Sequence, residues 1–297
     1  MSRAHELMPI DRSQPTEIYV PLTDEQEKEL HIEERFIPGP VGAPEVRVVV
    51  YRPKDATGRL PLLLHFHGGA FVILHPESFA GMEAGWSLDH RCVVVSVDYR
   101  LAPEHKFPAA PEDCYAALLW AVANAGELGV DPERLVVTGG SAGGALSAAV
   151  CLMARDRRGP KIAFQGLMIP VLDDRMEQPS YEQAKGAPGF DTAGSQGMWL
   201  HYLGEDYDRS NTSPYAAPLR ADSLADLPPA FIQTNGLDPL RDEGIQYAQR
   251  LMAAGIDVEL YSAPGNYHGA DPVNPRTMLQ AVRVYGEALG AALNAPS

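Results

Sequence analysis

The chain contains little cysteine and no long hydrophobic run. Its three cysteines, Cys92, Cys114 and Cys151, are odd in number and far apart, which favours reduced thiols in the core over a disulfide framework. No stretch reaches the roughly 18 consecutive apolar residues that a membrane span needs, and the first residues lack the apolar segment of a signal peptide. We therefore expect no stable insertion into a membrane and a cytoplasmic location.

Basic residues are also scarce. The 297 residues include 24 Lys and Arg against 39 Asp and Glu, a formal net charge of −15. Such a surface repels nucleic acid and anionic membranes, so we expect neither as a partner and instead expect a neutral or cationic small molecule. With 45% hydrophobic residues the chain is long enough for one large core, and we interpret residues 1–297 as a single domain.

Short apolar segments predict strands, and helical patterns lie between most of them. The strand segments are 31–37, 45–52, 61–66, 92–97, 135–138, 162–169, 230–234 and 257–261. Helices are predicted over 108–125 and 275–293. The buried face of the second helix is predicted to carry Met278, Val282, Tyr285, Leu289 and Leu293. Because strands and helices alternate, the fold class is α/β, with a mostly parallel eight-stranded sheet flanked by helices.

The stretch 134–153 joins a predicted strand to an apolar helix through the motif G-x-S-x-G, formed by Gly139, Ser141 and Gly143. Side chains at the two glycine positions would clash in so sharp a turn, and the middle residue is forced into strained backbone angles. Ser141 is therefore the candidate nucleophile, at a helix N-terminus that stabilises negative charge. A glycine-rich turn can instead hold a phosphate, but the stretch lacks the G-x-x-x-x-G-K-[ST] pattern.

A nucleophilic serine needs a base and an acid that orients the base. His268, in a loop after the last predicted strand, is the candidate base, whereas His201 falls in a predicted lid helix. Asp238 directly follows a strand and is the candidate acid. Asp242 and Glu243 come one turn later on a helix, where we expect them to cap the helix or to pair with a cation.

Amide donors for an oxyanion are expected in the glycine-rich loop after the third strand and at the residue after the nucleophile. These donors are Gly68, Gly69, Ala70 and Ala142. Metal binding by His65 and His67 is the competing interpretation, but no third ligand is nearby, so we expect no metal and no cofactor. His67 is instead expected to be buried and to hold the loop by a hydrogen bond.

The connection between the sixth and seventh predicted strands is far longer than a crossover requires. Together with the N-terminal helices it is expected to form a helical cap, made of about residues 1–40 and about residues 171–222. A surface excursion without a role in binding is the alternative. Apolar residues near the site are candidates for the substrate pocket, although such a stripe also suits helix packing. These candidates are Phe71, Phe190, Met198, Trp199 and Tyr202.

Four separated motifs resemble the hormone-sensitive-lipase-like esterases, which are the bacterial family IV carboxylesterases of the α/β-hydrolase superfamily. The motifs are HGGA at 67–70, DYRLAPEH at 98–105, GGSAGG at 139–144 and DPLRDEG at 238–244. They occur in the family's order, and the resemblance covers the chain from about residue 45 to the end. It implies an α/β-hydrolase fold with a cap, and it leaves a homodimer open, since many relatives are homodimers.

The resemblance also assigns roles to single residues. It implies a catalytic triad of Ser141, Asp238 and His268, and bracing rather than reacting roles for Arg100 and Glu104.

The sequence departs from the family's pattern at three places. Ala70 stands where a third glycine is usual, Gly140 stands where Asp is common, and Gly-Ala rather than Gly-Phe follows His268. These departures leave the triad intact and concern the shape of the acyl and alcohol pockets.

We predict a serine hydrolase that acts on short- to medium-chain carboxylic esters through an acyl-enzyme. Lactone hydrolysis by the same residues is the first alternative. A dehydrating lyase and a non-catalytic small-molecule binding protein are more remote, because the serine and the histidine of the triad are both present.

Overall fold

A computed structural model describes residues 2–12, 19–269 and 273–295. Within these ranges eight strands form one sheet in the order β1-β2-β4-β3-β5-β6-β7-β8. The strands are β1 (Leu30–Ile37), β2 (Val46–Pro53), β3 (Leu60–Phe66), β4 (Val93–Asp98), β5 (Val130–Gly140), β6 (Phe164–Met168), β7 (Ala230–Asn235) and β8 (Val258–Ala263). β2 is antiparallel to both of its neighbours, and the other adjacent pairs are parallel. The predicted α/β fold is confirmed.

Helices cover both faces of this sheet. They are α1 (Arg3–Leu7), α2 (Asp24–Glu29), α3 (Ala80–Asp89), α4 (Ala109–Ala123), α5 (Ala125–Leu128), α6 (Ala142–Asp156), α7 (Pro179–Gln183), α8 (Thr192–Leu203), α9 (Arg241–Ala253) and α10 (Pro275–Leu293). α4, α6 and α9 pack on one face, and α3 and α10 pack on the other. Because the central strands are buried on both faces, they read as continuous apolar runs in the sequence, and β3 is buried along its whole length.

The predicted strands agree with the observed ones to within two residues, except at the start of β5. Leu60 pairs with Val130 and Leu62 with Leu135, so that residues 131–134 bulge out between two pairings. This bulge is polar and contains a proline, which gives no strand pattern. The predicted helix over 108–125 is α4 followed by the short α5.

One prediction about α10 is wrong. Val282 is 61% exposed, and the buried residues are Thr277, Ala281, Tyr285, Ala288, Leu289 and Leu293. The Thr277 hydroxyl donates to the Pro264 carbonyl (2.9 Å) and accepts from the Asn266 side-chain amide (3.0 Å). These two bonds turn residue 277 rather than residue 278 inward at the start of α10, while Tyr285, Leu289 and Leu293 are buried as predicted.

Of the segments predicted to form the cap, α1 lies against α8, whereas β1 belongs to the sheet. α1 packs against α8, and the Ala4 amide donates to Glu205 just beyond α8 (2.8 Å). β1 lies within the range 1–40 but forms an edge strand of the sheet. Residues 1 and 13–18 of that range lie outside the described residues. In the part of the chain that the structure describes, no helix is long and apolar enough to cross a bilayer.

All three cysteines are free and buried, as expected of reduced core thiols. Burial raises the pKa of Cys92 to about 12.

Candidate active site

The carboxyl ends of the parallel strands β3, β5, β7 and β8 lie at one edge of the sheet, which is where ligands bind in α/β folds. The loops that follow these four strands contain, in chain order, Gly68, Ser141, Asp238 and His268. The topology therefore brings together residues that are far apart in sequence.

The turn between β5 and α6 is as tight as the sequence predicts. Ser141 has φ 56° and ψ −117°, a left-handed conformation that side chains rarely adopt. A Cβ atom at Gly139 would collide with the Gly143 backbone, and one at Gly143 would collide with the Phe66 carbonyl. Only glycine lets the start of α6 approach β3 so closely, and the expected backbone strain at the serine is confirmed.

Residues at the end of β6 hold this strained serine in place. The Ser141 amide donates to the Met168 carbonyl (2.8 Å), and the Ser141 carbonyl accepts from the Val171 amide (3.1 Å). A non-glycine residue in such a conformation costs about 1–3 kcal/mol, and it persists only where neighbouring bonds impose it. Here those neighbouring bonds come from residues 168–171.

Three predicted residues form one hydrogen-bonded line. Ser141 Oγ lies 2.9 Å from His268 Nε2, and His268 Nδ1 lies 2.7 Å from Asp238 Oδ2. The other carboxylate oxygen, Oδ1, accepts from the Leu240 amide (2.8 Å). With Nδ1–H donating to the carboxylate, the lone pair of Nε2 faces the serine hydroxyl. This arrangement can remove a proton from the hydroxyl.

Two buried asparagines that the sequence analysis did not select hold the histidine loop. The Asn235 side-chain amide donates to the Tyr267 carbonyl (3.0 Å), directly before His268. The Asn266 side chain donates to Thr277 and accepts from the Asn274 amide, each at 3.0 Å. Both asparagines are 1–2% exposed. Their signal in the sequence is a polar amide two or three residues before Asp238 and before His268.

Residues 68–74, called the oxyanion loop after the role expected of their amides, lie beside the serine. A Cβ atom at Gly68 would be 3.1 Å from the Gly140 carbonyl oxygen and 3.7 Å from Ser141 Cβ. Gly69 has φ 107° and Ala70 has φ 53°. The amides of Gly69 and Ala70 donate to no acceptor among the described residues. At the positive φ of Ala70 the alanine backbone is strained by about 1–2 kcal/mol, whereas glycine would be free of strain.

His67 holds the start of this loop, as the sequence predicts. Its Nδ1–H donates to the Gly68 carbonyl (2.7 Å), and its ring stacks on Tyr99 with centroids 4.2 Å apart. The Tyr99 hydroxyl donates to the His67 carbonyl (2.8 Å). Burial lowers the pKa of His67 to about 4, because the interior disfavours the charged imidazole.

This depressed pKa predicts an acid-sensitive fold. The pKa of His67 is about 4 in the folded protein against 6.5 for a free histidine, so between these values the unfolded chain binds a proton that the folded protein does not. Stability should therefore fall by about 3 kcal/mol from this group as pH drops from about 6.5 to about 4. Urea unfolding at several pH values measures the loss. His67→Asn retains a donor for the Gly68 carbonyl but has no titrating side chain, so this variant should lose less stability over the same pH range than the wild type. Equal losses of stability in the two proteins would contradict the assignment to His67.

His65, the other histidine considered as a metal ligand, lies beside a carboxylate. His65 Nδ1 lies 2.5 Å from Glu83 Oε1, and both side chains are buried. The His65 ring also makes edge contacts with the rings of Phe79 and Trp86. Within residues 2–12, 19–269 and 273–295, no group of three potential ligands lies close enough to hold a metal ion.

Among the described residues, Glu243 neither caps α9 nor pairs with a cation, although one of the two was expected. It is fully buried, and it accepts hydrogen bonds from the Leu172 amide (2.6 Å) and the Tyr181 hydroxyl (2.7 Å). Burial raises the pKa of Glu243 well above the usual range, because the interior disfavours the charged carboxylate. Asp242 does pair with a cation, its neighbour Arg241 (2.7 Å).

The candidate pocket residues fall into two groups. The Phe190 ring centroid lies 4.9 Å from that of His268, beside the hydrogen-bonded line. The other four residues are buried in the main core, where Phe71 and Tyr202 stack with centroids 3.8 Å apart. Those four are Phe71, Met198, Trp199 and Tyr202.

The residues expected to brace the site make ion pairs away from the reacting atoms. Arg100 donates to both carboxylate oxygens of the buried Asp113, at 2.8 and 2.7 Å. Glu104 accepts from Arg12 (2.8 Å). His201, expected in the lid, donates from Nε2 to the Met8 carbonyl (2.9 Å).

Comparisons with known proteins agree with this architecture. A family model for the alpha/beta hydrolase fold matches residues 63–271. The chain is 40% identical over 241 residues to esterase LipI of Mycobacterium tuberculosis, covering 81% of this chain and 75% of the relative. It is 37% identical over 247 residues to an arylesterase of Saccharolobus solfataricus, covering 82% and 79%.

The solved structure of a bacterial heroin esterase is also similar. It superposes with a TM-score of 0.86 at 41% identity, covering 90% of this chain and 86% of that one. The chain therefore belongs to the α/β-hydrolase family, in its hormone-sensitive-lipase-like group, and is a carboxylic ester hydrolase.

Proposed function

We propose that this enzyme hydrolyses short- to medium-chain carboxylic esters with Ser141 as nucleophile, His268 as general base and Asp238 as the group that orients the base. The observation that carries the proposal is the continuous line from Ser141 Oγ to His268 Nε2 (2.9 Å) and from His268 Nδ1 to Asp238 (2.7 Å). A hydroxyl, an imidazole and a carboxylate in this order form the arrangement that activates serine for acyl transfer.

The reaction follows from these contacts. His268 Nε2 accepts the hydroxyl proton while Ser141 Oγ attacks the ester carbonyl, and the imidazolium is stabilised by the carboxylate. The imidazolium then gives its proton to the departing alcohol, leaving an acyl-enzyme. Water gives a proton to the same nitrogen as it attacks the acyl group, and the acid leaves as the serine recovers its proton.

Amide groups of the oxyanion loop and of Ala142 are proposed to bind the negative oxygen of the tetrahedral intermediate. The amides of Gly69 and Ala70 lack acceptors among the described residues, and the Ala142 amide is the first of α6, where backbone donors are unsatisfied. Gly68 lies against the serine, so the loop is close enough to take part. One such donor contributes about 10²- to 10³-fold in rate.

The substrate preference is proposed from the walls of the site. Phe190 contacts the imidazole and would line the entrance for the acyl or alcohol group, while α1, α7 and α8 would form the cap above it. The net charge of −15 favours neutral esters over carboxylates or phosphates. A homodimer and a cytoplasmic location stay predictions.

A panel of substrates tests this preference. We expect kcat/KM for p-nitrophenyl acetate, butyrate and octanoate to exceed that for the palmitate by at least about tenfold, because the cap limits the space beside Phe190. A δ-lactone assayed beside them should be hydrolysed more slowly than the linear esters. A preference for the palmitate would contradict the chain-length proposal, and faster lactone turnover would favour lactone hydrolysis.

A further inference from the structure

Arg12 reaches from the N-terminal segment, residues 2–12, to the oxyanion loop. Its Nε donates to the Val72 carbonyl (2.9 Å), its Nη2 to the Ala102 carbonyl (2.5 Å) and its Nη1 to Glu104 (2.8 Å). One guanidinium therefore connects three points on two different loops, which its planar fork of donors allows and a lysine would not.

The two loops are joined by one more bond beside this guanidinium. The Ala102 amide donates to the Phe71 carbonyl (2.8 Å). Phe71 and Val72 directly follow Ala70, and the carbonyls of both thus accept hydrogen bonds from groups outside the oxyanion loop. The guanidinium supplies one of these two attachments.

The oxyanion loop needs such attachments because its backbone is strained. Ala70, Phe71 and Leu74 have φ values of 53°, 62° and 74°, all in the left-handed region although none is glycine. Each costs about 1–2 kcal/mol. Non-glycine residues hold such angles only where the surrounding structure imposes them.

The N-terminal segment is itself fixed at its other end by the region of α8. The Ala4 amide donates to Glu205, and the Met8 carbonyl accepts from His201. Residues 4–12 thus run from the region of α8 to the oxyanion loop, where Arg12 contacts the Val72 carbonyl.

We propose that Arg12 is a positioning residue for ester hydrolysis. It touches no reacting atom and acts through the Val72 carbonyl, holding residues 69–72 in the conformation that presents the Gly69 and Ala70 amides to the oxyanion. The inference rests on the proposed function of these amides.

The ion pair with Glu104 is the smaller part of this effect. The side chains of Arg12 and Glu104 are 36% and 57% exposed, and exposed ion pairs contribute little. Glu104→Gln leaves both carbonyl contacts of Arg12 in place. It therefore separates the loss of a surface charge from the loss of the attachment to the loop.

The experiment measures kcat and KM for p-nitrophenyl butyrate in the wild type, Arg12→Ala, Arg12→Lys and Glu104→Gln. Arg91→Ala, which breaks an exposed pair with Asp55, serves as a matched control. Each enzyme is assayed below its own melting temperature. We expect Arg12→Ala to lower kcat by about 10- to 100-fold with little change in KM, because misplaced amides stabilise the transition state less. Arg12→Lys should lose nearly as much, and the two controls should keep the wild-type kcat.

Chemical rescue gives a readout that a purely structural role would not move. Millimolar guanidinium should restore part of kcat in Arg12→Ala and leave Arg91→Ala unchanged. A wild-type kcat in folded Arg12→Ala, a change confined to KM, or an equal loss in Glu104→Gln would each overturn the proposal. Ser141→Ala is assayed in parallel: if it retained activity, the proposed function would fail, whereas an inactive Ser141→Ala beside a fully active Arg12→Ala would reject only the role of Arg12.

Discussion

Ser141→Ala is expected to lower kcat for p-nitrophenyl acetate by about 10⁴- to 10⁶-fold. The substitution removes the oxygen that lies 2.9 Å from His268 Nε2, so no acyl-enzyme can form. What remains is the binding of the ester and the stabilisation of an oxyanion by amides, which is enough for a small residual rate with water as nucleophile. The methyl group of alanine fits the site of the hydroxymethyl group, so the fold should be unchanged.

A serine within α6, the helix that follows Ser141, provides the control. Ser147 is buried on α6, and its hydroxyl donates to the Gly143 carbonyl (2.9 Å) rather than to the site. Ser147→Ala should keep kcat near the wild-type value. A fluorophosphonate should label the wild type and Ser147→Ala but not Ser141→Ala, with the adduct on the peptide that contains residue 141. Labelling of Ser141→Ala at the wild-type rate would contradict the role given to the serine.

Asp238→Asn is expected to lower kcat by about 10⁴-fold through the tautomer of the histidine. The Leu240 amide donates to Oδ1, so an asparagine would keep its oxygen there and turn its NH₂ group toward His268. Nδ1 would then have to accept, and the ring proton would move to Nε2. A protonated Nε2 cannot remove the proton of Ser141.

Asp242→Asn is the matched control, since it makes the same chemical change one turn further along. Asp242 pairs with Arg241 and accepts from the Ser180 amide, and among the described residues it makes no hydrogen bond to the histidine. The kcat of Asp242→Asn should therefore be close to that of the wild type. Both variants are compared with the wild type in steady-state hydrolysis, with melting temperatures to show that each is folded. Equal activity of Asp238→Asn and wild type would contradict the orienting role.

The elbow around Ser141 could be predicted from the sequence because its cause is local. Gly139 and Gly143 are required by atoms within a few residues or on the adjacent strand, and the strand and helix on either side have their own apolar patterns. The positions of Asp238 and His268 could be predicted because each follows a strand, and parallel strands end at the same edge.

Other parts of the site depend on contacts between distant segments, which no local pattern reports. Arg12 lies in a polar stretch without periodicity, and its bond to Val72 joins residues 60 positions apart. Glu243 has the sequence surroundings of an exposed helical acid, but the packing of α9 turns it toward Leu172 and Tyr181. Val282 lies on the exposed face of α10, because polar bonds at Thr277 orient the first turns of the helix, whereas the later residues of the predicted face are buried.

The attachment of Ser141 to the end of β6 has a consequence for how activity is lost. The Met168 carbonyl and the Val171 amide hold the backbone of Ser141, although neither group belongs to the hydrogen-bonded line with His268 and Asp238. If residues 168–171 separate from the elbow, the left-handed turn can relax to a commoner conformation and withdraw the hydroxyl from the imidazole. We therefore expect warming to inactivate the enzyme through this short segment while the sheet and both helical layers are still intact.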